Sequence, residues 1–216
     1  MKKRKVIVMQ LAVLLIVGLS GQANANLITN GDFEAGNVGF TSGYTFLSGN
    51  IGPEGTYDIV PDPLNSHGGA TSYGDNTTGS GLMMAVNGSV LNAVVVWSET
   101  VAVTPGTDFL FSTWVSTWYP ANFAQMEFVF NGSSIGMFTA PATAGVWQEF
   151  ATTWNSGGST SLTAQIFDRN LAFGGNDFAL DDISLQAVPV PEPASLLLFG
   201  SGLAGLAMWR RKRHSV

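Results

Sequence analysis

Gln125-Met-Glu-Phe-Val-Phe-Asn-Gly-Ser-Ser-Ile-Gly-Met-Phe-Thr139 is the stretch that decides the fold. Among its first six residues Met126, Phe128 and Phe130 recur at every second position, the period of a strand with one buried face. Asn131-Gly132 interrupts the run, and both residue types tolerate the positive φ of a tight two-residue turn. The pattern therefore predicts a hairpin of 125–130 and 133–139. Upstream, Phe109 to Trp118 alternates again. Phe109, Phe111, Thr113 and Val115 fall on one face, and Leu110, Ser112, Trp114, Ser116 and Trp118 on the other. Val94 to Val103 is rich in β-branched residues and stops at Pro105-Gly106, a turn signal. Downstream, Val146–Trp154, Ser161–Phe167 and Phe178–Leu185 are further strand candidates. No stretch from Asn26 to Ala187 keeps a helical period. Short strands at this spacing, with nothing helical between them, predict an all-β antiparallel sandwich. Ser66 to Gly81 is a long loop rich in Gly, Ser and Thr, either functional or a plain solvated excursion.

The two ends read differently. Lys2 to Lys5 form a basic cluster, Val6 to Leu19 is nearly all apolar, and Ala23-Asn24-Ala25 has small residues spaced as at a cleavage site. This predicts a secretory signal over 1–25, with the mature chain starting at Asn26. The apolar run is shorter than the ~20 residues of a spanning helix. Beyond Ala187, residues 188–193 (Val-Pro-Val-Pro-Glu-Pro) form a stiff linker. Residues 194–209 carry no charge, and Arg210, Arg211, Lys212 and Arg213 follow. The tail 194–216 thus reads as a single short transmembrane helix with a basic stop. Trp209 sits at the membrane interface and the arginines snorkel to make up its length.

Four of the nine basic residues lie at 2–5 and four at 210–213, which leaves Arg169 alone between them. Fourteen of the fifteen carboxylates lie between Asn26 and Ala187, the other being Glu192, so that central stretch carries close to −13. A surface so poor in Lys and Arg cannot neutralise phosphates, and nucleic acid is excluded as a partner. An acidic excess suits divalent cations, neutral ligands or simple solubility. The basic termini obey the positive-inside pattern, with the middle outside. With no cysteine in the chain, disulfides, thiolate zinc sites and cysteine nucleophiles are ruled out.

Val190-Pro191-Glu192-Pro193, then Ala194-Ser195, the apolar segment and the terminal Arg/Lys cluster resemble the PEP-CTERM sorting signal. The resemblance implies Pro191, Glu192, Pro193 and Arg210–Arg213 as its motif residues, and an exosortase-type sorting enzyme as a partner. It also implies export to the cell surface or extracellular space, membrane-anchored by the C-terminal helix before processing, in bacteria that make exopolysaccharide, biofilm or flocs.

The central residues 26–187 resemble the jelly-roll carbohydrate-binding modules of the galactose-binding-like superfamily. Four stretches carry the likeness: Asn26-Leu-Ile-Thr-Asn-Gly-Asp-Phe-Glu34, Val101–Ser112, Trp147-Gln-Glu-Phe150 and Phe178-Ala-Leu-Asp-Asp-Ile-Ser-Leu185. The first and last would be the opening and closing strands, lying side by side. The resemblance further implies a structural calcium between them, held by Glu34 and Asp181. The alternative for both carboxylates is to cap turns through local hydrogen bonds.

Sugar binding needs an exposed aromatic face with hydrogen-bonding neighbours. Trp114 and Trp118 share a strand face with Ser112 and Ser116, and Tyr119 lies just beyond, so these three are the ligand-binding candidates. Trp97 and Trp154 are others, and the competing role for all of them is core filling. No residue pattern marks an enzyme: His67 is the sole histidine of the exported domain, and no nucleophile elbow or metal-protease motif is present. The expected function is a non-catalytic surface or matrix protein associated with extracellular polysaccharide. The alternatives are a purely structural biofilm or floc protein and a glycan-acting hydrolase.

Overall fold

In the segment 108–117 every second side chain is buried: Phe109, Phe111, Thr113 and Val115 face inward, while Leu110, Ser112 and Trp114 do not. This strand, β5 (Asp108–Thr117), is the spine of a computed structural model that describes residues 25–189 and Gly202. The signal segment before Ala25, the PEP motif and the apolar tail lie outside the described residues, apart from Gly202 in a helix. Among the described residues no helix is long and apolar enough to cross a membrane.

The other strands are β1 (Thr45–Phe46), β2 (Thr56–Val60), β3 (Met83–Asn87), β4 (Val95–Ala102), β6 (Gln125–Phe130), β7 (Ser133–Thr139), β8 (Gln148–Asn155), β9 (Ser161–Asp168) and β10 (Phe178–Ala187). They form a six-stranded sheet, in the order β1-β2-β3-β10-β5-β8, and a four-stranded sheet, β4-β9-β6-β7. All pairings are antiparallel except β1 with β2. The expected hairpin is β6–β7, with Asn131 and Gly132 at φ 48° and 79°.

The two sheets enclose one apolar core. Phe111 lies at its centre, its ring 5.7 Å from Phe128, 5.1 Å from Phe130 and 6.4 Å from Phe150. Phe128 and Phe150 stack at 4.0 Å. Edge-to-face and offset ring pairs of this kind add about 0.5–1.5 kcal/mol beyond area burial.

The opening stretch is not a regular strand. Residues 26–31 nevertheless run along the second half of β10, on the side that β3 occupies only as far as Leu180. Leu27 N–H donates to Leu185 O at 2.9 Å, and Ile183 N–H to Gly31 O at 2.8 Å. Asn26 replaces the missing ladder with its side chain. Its Oδ1 accepts from Leu185 N–H at 2.9 Å, and its Nδ2 donates to Ile183 O at 3.1 Å. On either side of Gly31 the chain turns at Asn30 and Phe33, both at positive φ, which ends any strand.

The outer face of the six-stranded sheet is covered at one end by the excursion between β2 and β3. A 3-10 turn at Pro63–Asn65 starts it, capped by Asp62, whose Oδ1 accepts from Leu64 N–H at 2.8 Å. Ala70 and Tyr73 pack on a small second cluster of Ile51, Val60, Ala85 and Trp118. Thr71 N–H donates to Trp118 O at 2.9 Å, and Trp147 Nε1 to Gly74 O at 3.0 Å. The long Gly/Ser/Thr-rich loop is therefore a hydrogen-bonded cover.

Two substitutions on β5 separate its faces. Phe111→Ala is expected to cost about 3–5 kcal/mol in urea unfolding, because the surrounding rings cannot collapse into the space. Leu110→Ala, at a side chain 44% exposed, is expected to stay within about 0.5 kcal/mol. Equal effects would contradict this assignment of inner and outer faces.

Candidate functional site: a polar groove beside the closing strand

β10 carries one residue more than its partner between paired positions. Asp181 lies opposite Trp114 and Ser184 opposite Ser112, so a bulge sits between them. Asp182 takes φ 49°, which Asp tolerates better than most residues. Thr113 Oγ1 donates to Asp181 O at 3.2 Å and fixes the bulge from beneath. Bulges bend a strand and re-aim its side chains. Here the result is a groove of about 440 Å³ on the outer face, between the opening segment, the bulge and β5.

Trp114 is the aromatic member of its lining, with Ser112, Asn30, Asp32, Asp182 and Gln186 among the polar ones. A volume in this range, with an aromatic wall and several hydrogen-bonding groups, suits a small polar ligand or part of a polymer. Gly31 is required at the groove edge: a Cβ there would lie 2.0 Å from Ile183 O.

The three aromatic candidates do not form one platform. Trp114 is half-buried in the groove wall. Trp118 shares its face, as the alternation implied, but is 0% exposed beneath the 61–82 cover. Its Nε1 donates to Val86 O at 2.9 Å, and the His67 ring lies 4.9 Å away. It is a packing residue, and its candidacy as a ligand platform is withdrawn. Tyr119 is exposed, but in the turn after β5 and outside the groove lining. Trp97 is fully buried, and Trp154 packs on the core against Phe109 and Phe130.

Glu34 and Asp181 both hold the 75–82 loop. Leu82 N–H donates to Glu34 Oε1 at 2.8 Å, and Asn76 N–H to Asp181 Oδ2 at 2.8 Å. Asp75 caps the loop internally, accepting from Thr78 N–H at 2.8 Å and Gly81 N–H at 2.7 Å. Asp182 completes the anchor by accepting from Asn76 Nδ2 at 2.8 Å and Thr77 Oγ1 at 2.7 Å. Among the described residues, no three acidic or histidine side chains converge closely enough to hold a metal ion. A calcium ion at Glu34 and Asp181 would compete with backbone donors for the same oxygens. Melting in EDTA and in excess calcium decides between the two roles. Hydrogen-bonded anchoring leaves the midpoint unchanged, whereas a rise with calcium would place the ion there.

Three buried carboxylates are raised, and of these Asp168 alone has a cation beside it, Arg169, whose attraction burial outweighs. Burial first, then repulsion from Asp182, pushes Asp181 up to about 7. Burial likewise pushes Asp177 up to about 7 and Asp168 to about 6. In the unfolded chain these groups release their protons near pH 4, at about the ordinary Asp value. Between that pH and 6–7 the folded state binds more protons, so their contribution is full at the acid end and lost as pH rises. The melting midpoint is accordingly expected to fall between pH 5 and pH 8, and Asp177→Asn to flatten that slope. A midpoint that climbs over this window would contradict the assignment.

Comparison with known proteins supports both parts of the chain. The PEP-CTERM protein-sorting motif matches residues 189–212. No curated protein sequence matches. Among solved structures, the domain is similar to the N-terminal CBM22-1–CBM22-2 tandem domain of Paenibacillus barcinonensis Xyn10C. The match has a TM-score of 0.50 at 15% identity, covering 80% of this chain and 48% of that one. It is also similar to a Stig cyclase, Fisc from Fischerella sp. TAU, with a TM-score of 0.53 at 10% identity and 78% and 99% coverage. The Xyn10C CBM22-1 xylan-binding domain matches at 11% identity and a TM-score of 0.43, covering 70% of this chain and 94% of that one. At these identities the likeness speaks for the fold alone. The chain thus joins a jelly-roll domain, similar in fold to the CBM22 tandem domain of Xyn10C, to a PEP-CTERM sorting motif.

Proposed function

We infer that this is an exported, non-catalytic surface or matrix protein whose β-domain binds extracellular polysaccharide in the groove beside Trp114. The groove itself carries the reading. The half-buried Trp114 lines it among hydroxyl, amide and carboxylate groups suited to sugar hydroxyls, a combination that fits a pyranose ring against the indole. It lies on the open part of a sheet whose other end is sealed by the 61–82 cover, so a chain can reach Trp114 but not Trp118.

The sorting motif supports the route: export by the N-terminal signal, retention at the membrane by the C-terminal helix, and processing by an exosortase-type enzyme at Pro191-Glu192-Pro193. The fourteen carboxylates suit a domain that must stay dissolved in a polysaccharide matrix.

Co-sedimentation of the purified protein with the producing cell's own polysaccharide tests the reading. Trp114→Ala is expected to reduce retention at least tenfold with little change in melting midpoint. Trp118→Ala is expected to lower the midpoint through a loss of about 3–5 kcal/mol. Wild-type protein that fails to sediment with the polysaccharide would favour a purely structural role. Turnover of the polysaccharide, abolished by replacing one carboxylate, would establish a hydrolase instead.

A further inference from the structure

Among the described residues the groove is acidic and has no counter-charge of its own: Asp32 and Asp182 line it, and no described lysine, arginine or histidine does. Asp32 is exposed, and its carboxylate accepts one long hydrogen bond, from Glu34 N–H at 3.4 Å. Asp182 accepts from Asn76 and Thr77, but both donors are neutral, so its charge stays uncompensated.

Nor can a cation arrive from elsewhere in the domain. Arg169 is the one Lys or Arg in the described domain, and it is committed on the other sheet. Its Nη2 lies 2.6 Å from Glu127 Oε2, and its guanidinium sits 4.4 Å over the Phe167 ring. His67 belongs to the loop cover itself, with its ring against Trp118.

A neutral sugar entering this groove would strip water from two carboxylates and return only hydroxyl hydrogen bonds. An anionic sugar would add repulsion to that desolvation. A protonated amine removes the penalty, because it supplies both the opposite charge and three donors. Resting on the groove as the glycan site, we propose that its ligand is an amino-sugar polymer with free amino groups. The pyranose face stacks on Trp114, and the ammonium groups are held by Asp32 and Asp182.

Calorimetry with the full-chain protein at pH 6 tests this. The probes are fully de-N-acetylated glucosamine oligomers, their N-acetylated counterparts and oligogalacturonate. The free-amine oligomer is expected to bind at least tenfold more tightly than the N-acetylated one, with an affinity that falls as salt is raised. Any oligogalacturonate binding, with or without calcium, is expected to be indifferent to Trp114→Ala, since it would belong to the basic ends at 2–5 and 210–213 and not to the groove. Asp32→Asn should remove most of the preference while leaving the fold intact, since its carboxylate supports little structure. Trp114→Ala should weaken both glucosamine oligomers together. Asp62→Asn, which lies outside the groove, is the control for general attraction to an acidic surface, and it should leave the preference in place.

Equal binding of the two glucosamine oligomers, or a preference lost as readily in Asp62→Asn as in Asp32→Asn, overturns the charge proposal and leaves the groove standing as a sugar site. Binding that ignores Trp114→Ala overturns the groove as well.

Discussion

The arrangement depends on how the closing strand is shared. β10 has β5 on one side along its whole length, but β3 covers only the first part of its other side. Residues 26–31 take over from there, and they can do so only because Gly31 lacks a Cβ and Asn26 offers an amide in place of a peptide group. The substitution of an irregular segment for a strand leaves space that a full ladder would have filled. The bulge at Asp182 then opens that space toward solvent. Groove and seam are two consequences of one packing constraint, which is why the site lies where the domain's two ends meet.

Acidity in this domain has two distinct uses. Asp58, Asp75, Asp168, Asp177 and Asp181 are buried, and those with assigned partners accept from backbone or small polar groups. Such carboxylates do the work that regular secondary structure leaves undone in the long connections. Asp75, for example, is held below its usual range: its burial is outweighed by donors from Thr78, Gly81 and Ser80. A formal charge near −13 therefore overstates the acidic surface, and makes the exposed Asp32 in the groove more distinctive.

Much of the fold was legible because alternation reports a sheet with one buried face. β6 and β7 fall at their predicted residues, and β4, β5, β8, β9 and β10 within one or two of them. β3 escaped notice for a physical reason. Met83-Met-Ala-Val-Asn87 is buried on both faces, against the core and beneath the loop cover, so no period of two survives. The same cover explains Trp118. Its face was correctly read from the alternation, but burial on that face depends on loop residues Ala70 and Tyr73, more than forty positions away in sequence. Of the candidate site, Trp114 was legible as an aromatic among hydroxyls. Asp32 and Asp182 were not, since one belongs to a non-strand opening and the other to a bulge, and neither leaves a periodic signal. The resemblance implied one calcium ion between Glu34 and Asp181; in the structure each carboxylate accepts from a backbone N–H of the 75–82 loop. What the structure adds is the loop that both carboxylates grip.

Nuclear magnetic resonance of the isotopically labelled protein, titrated with fragments of its own matrix polysaccharide, tests the central claim most directly. The account predicts shifts concentrated at the Trp114 indole N–H, at residues 30–32 and at 182–186. Shifts confined to the Tyr119 end of the sandwich, or spread evenly over the acidic surface, would contradict it.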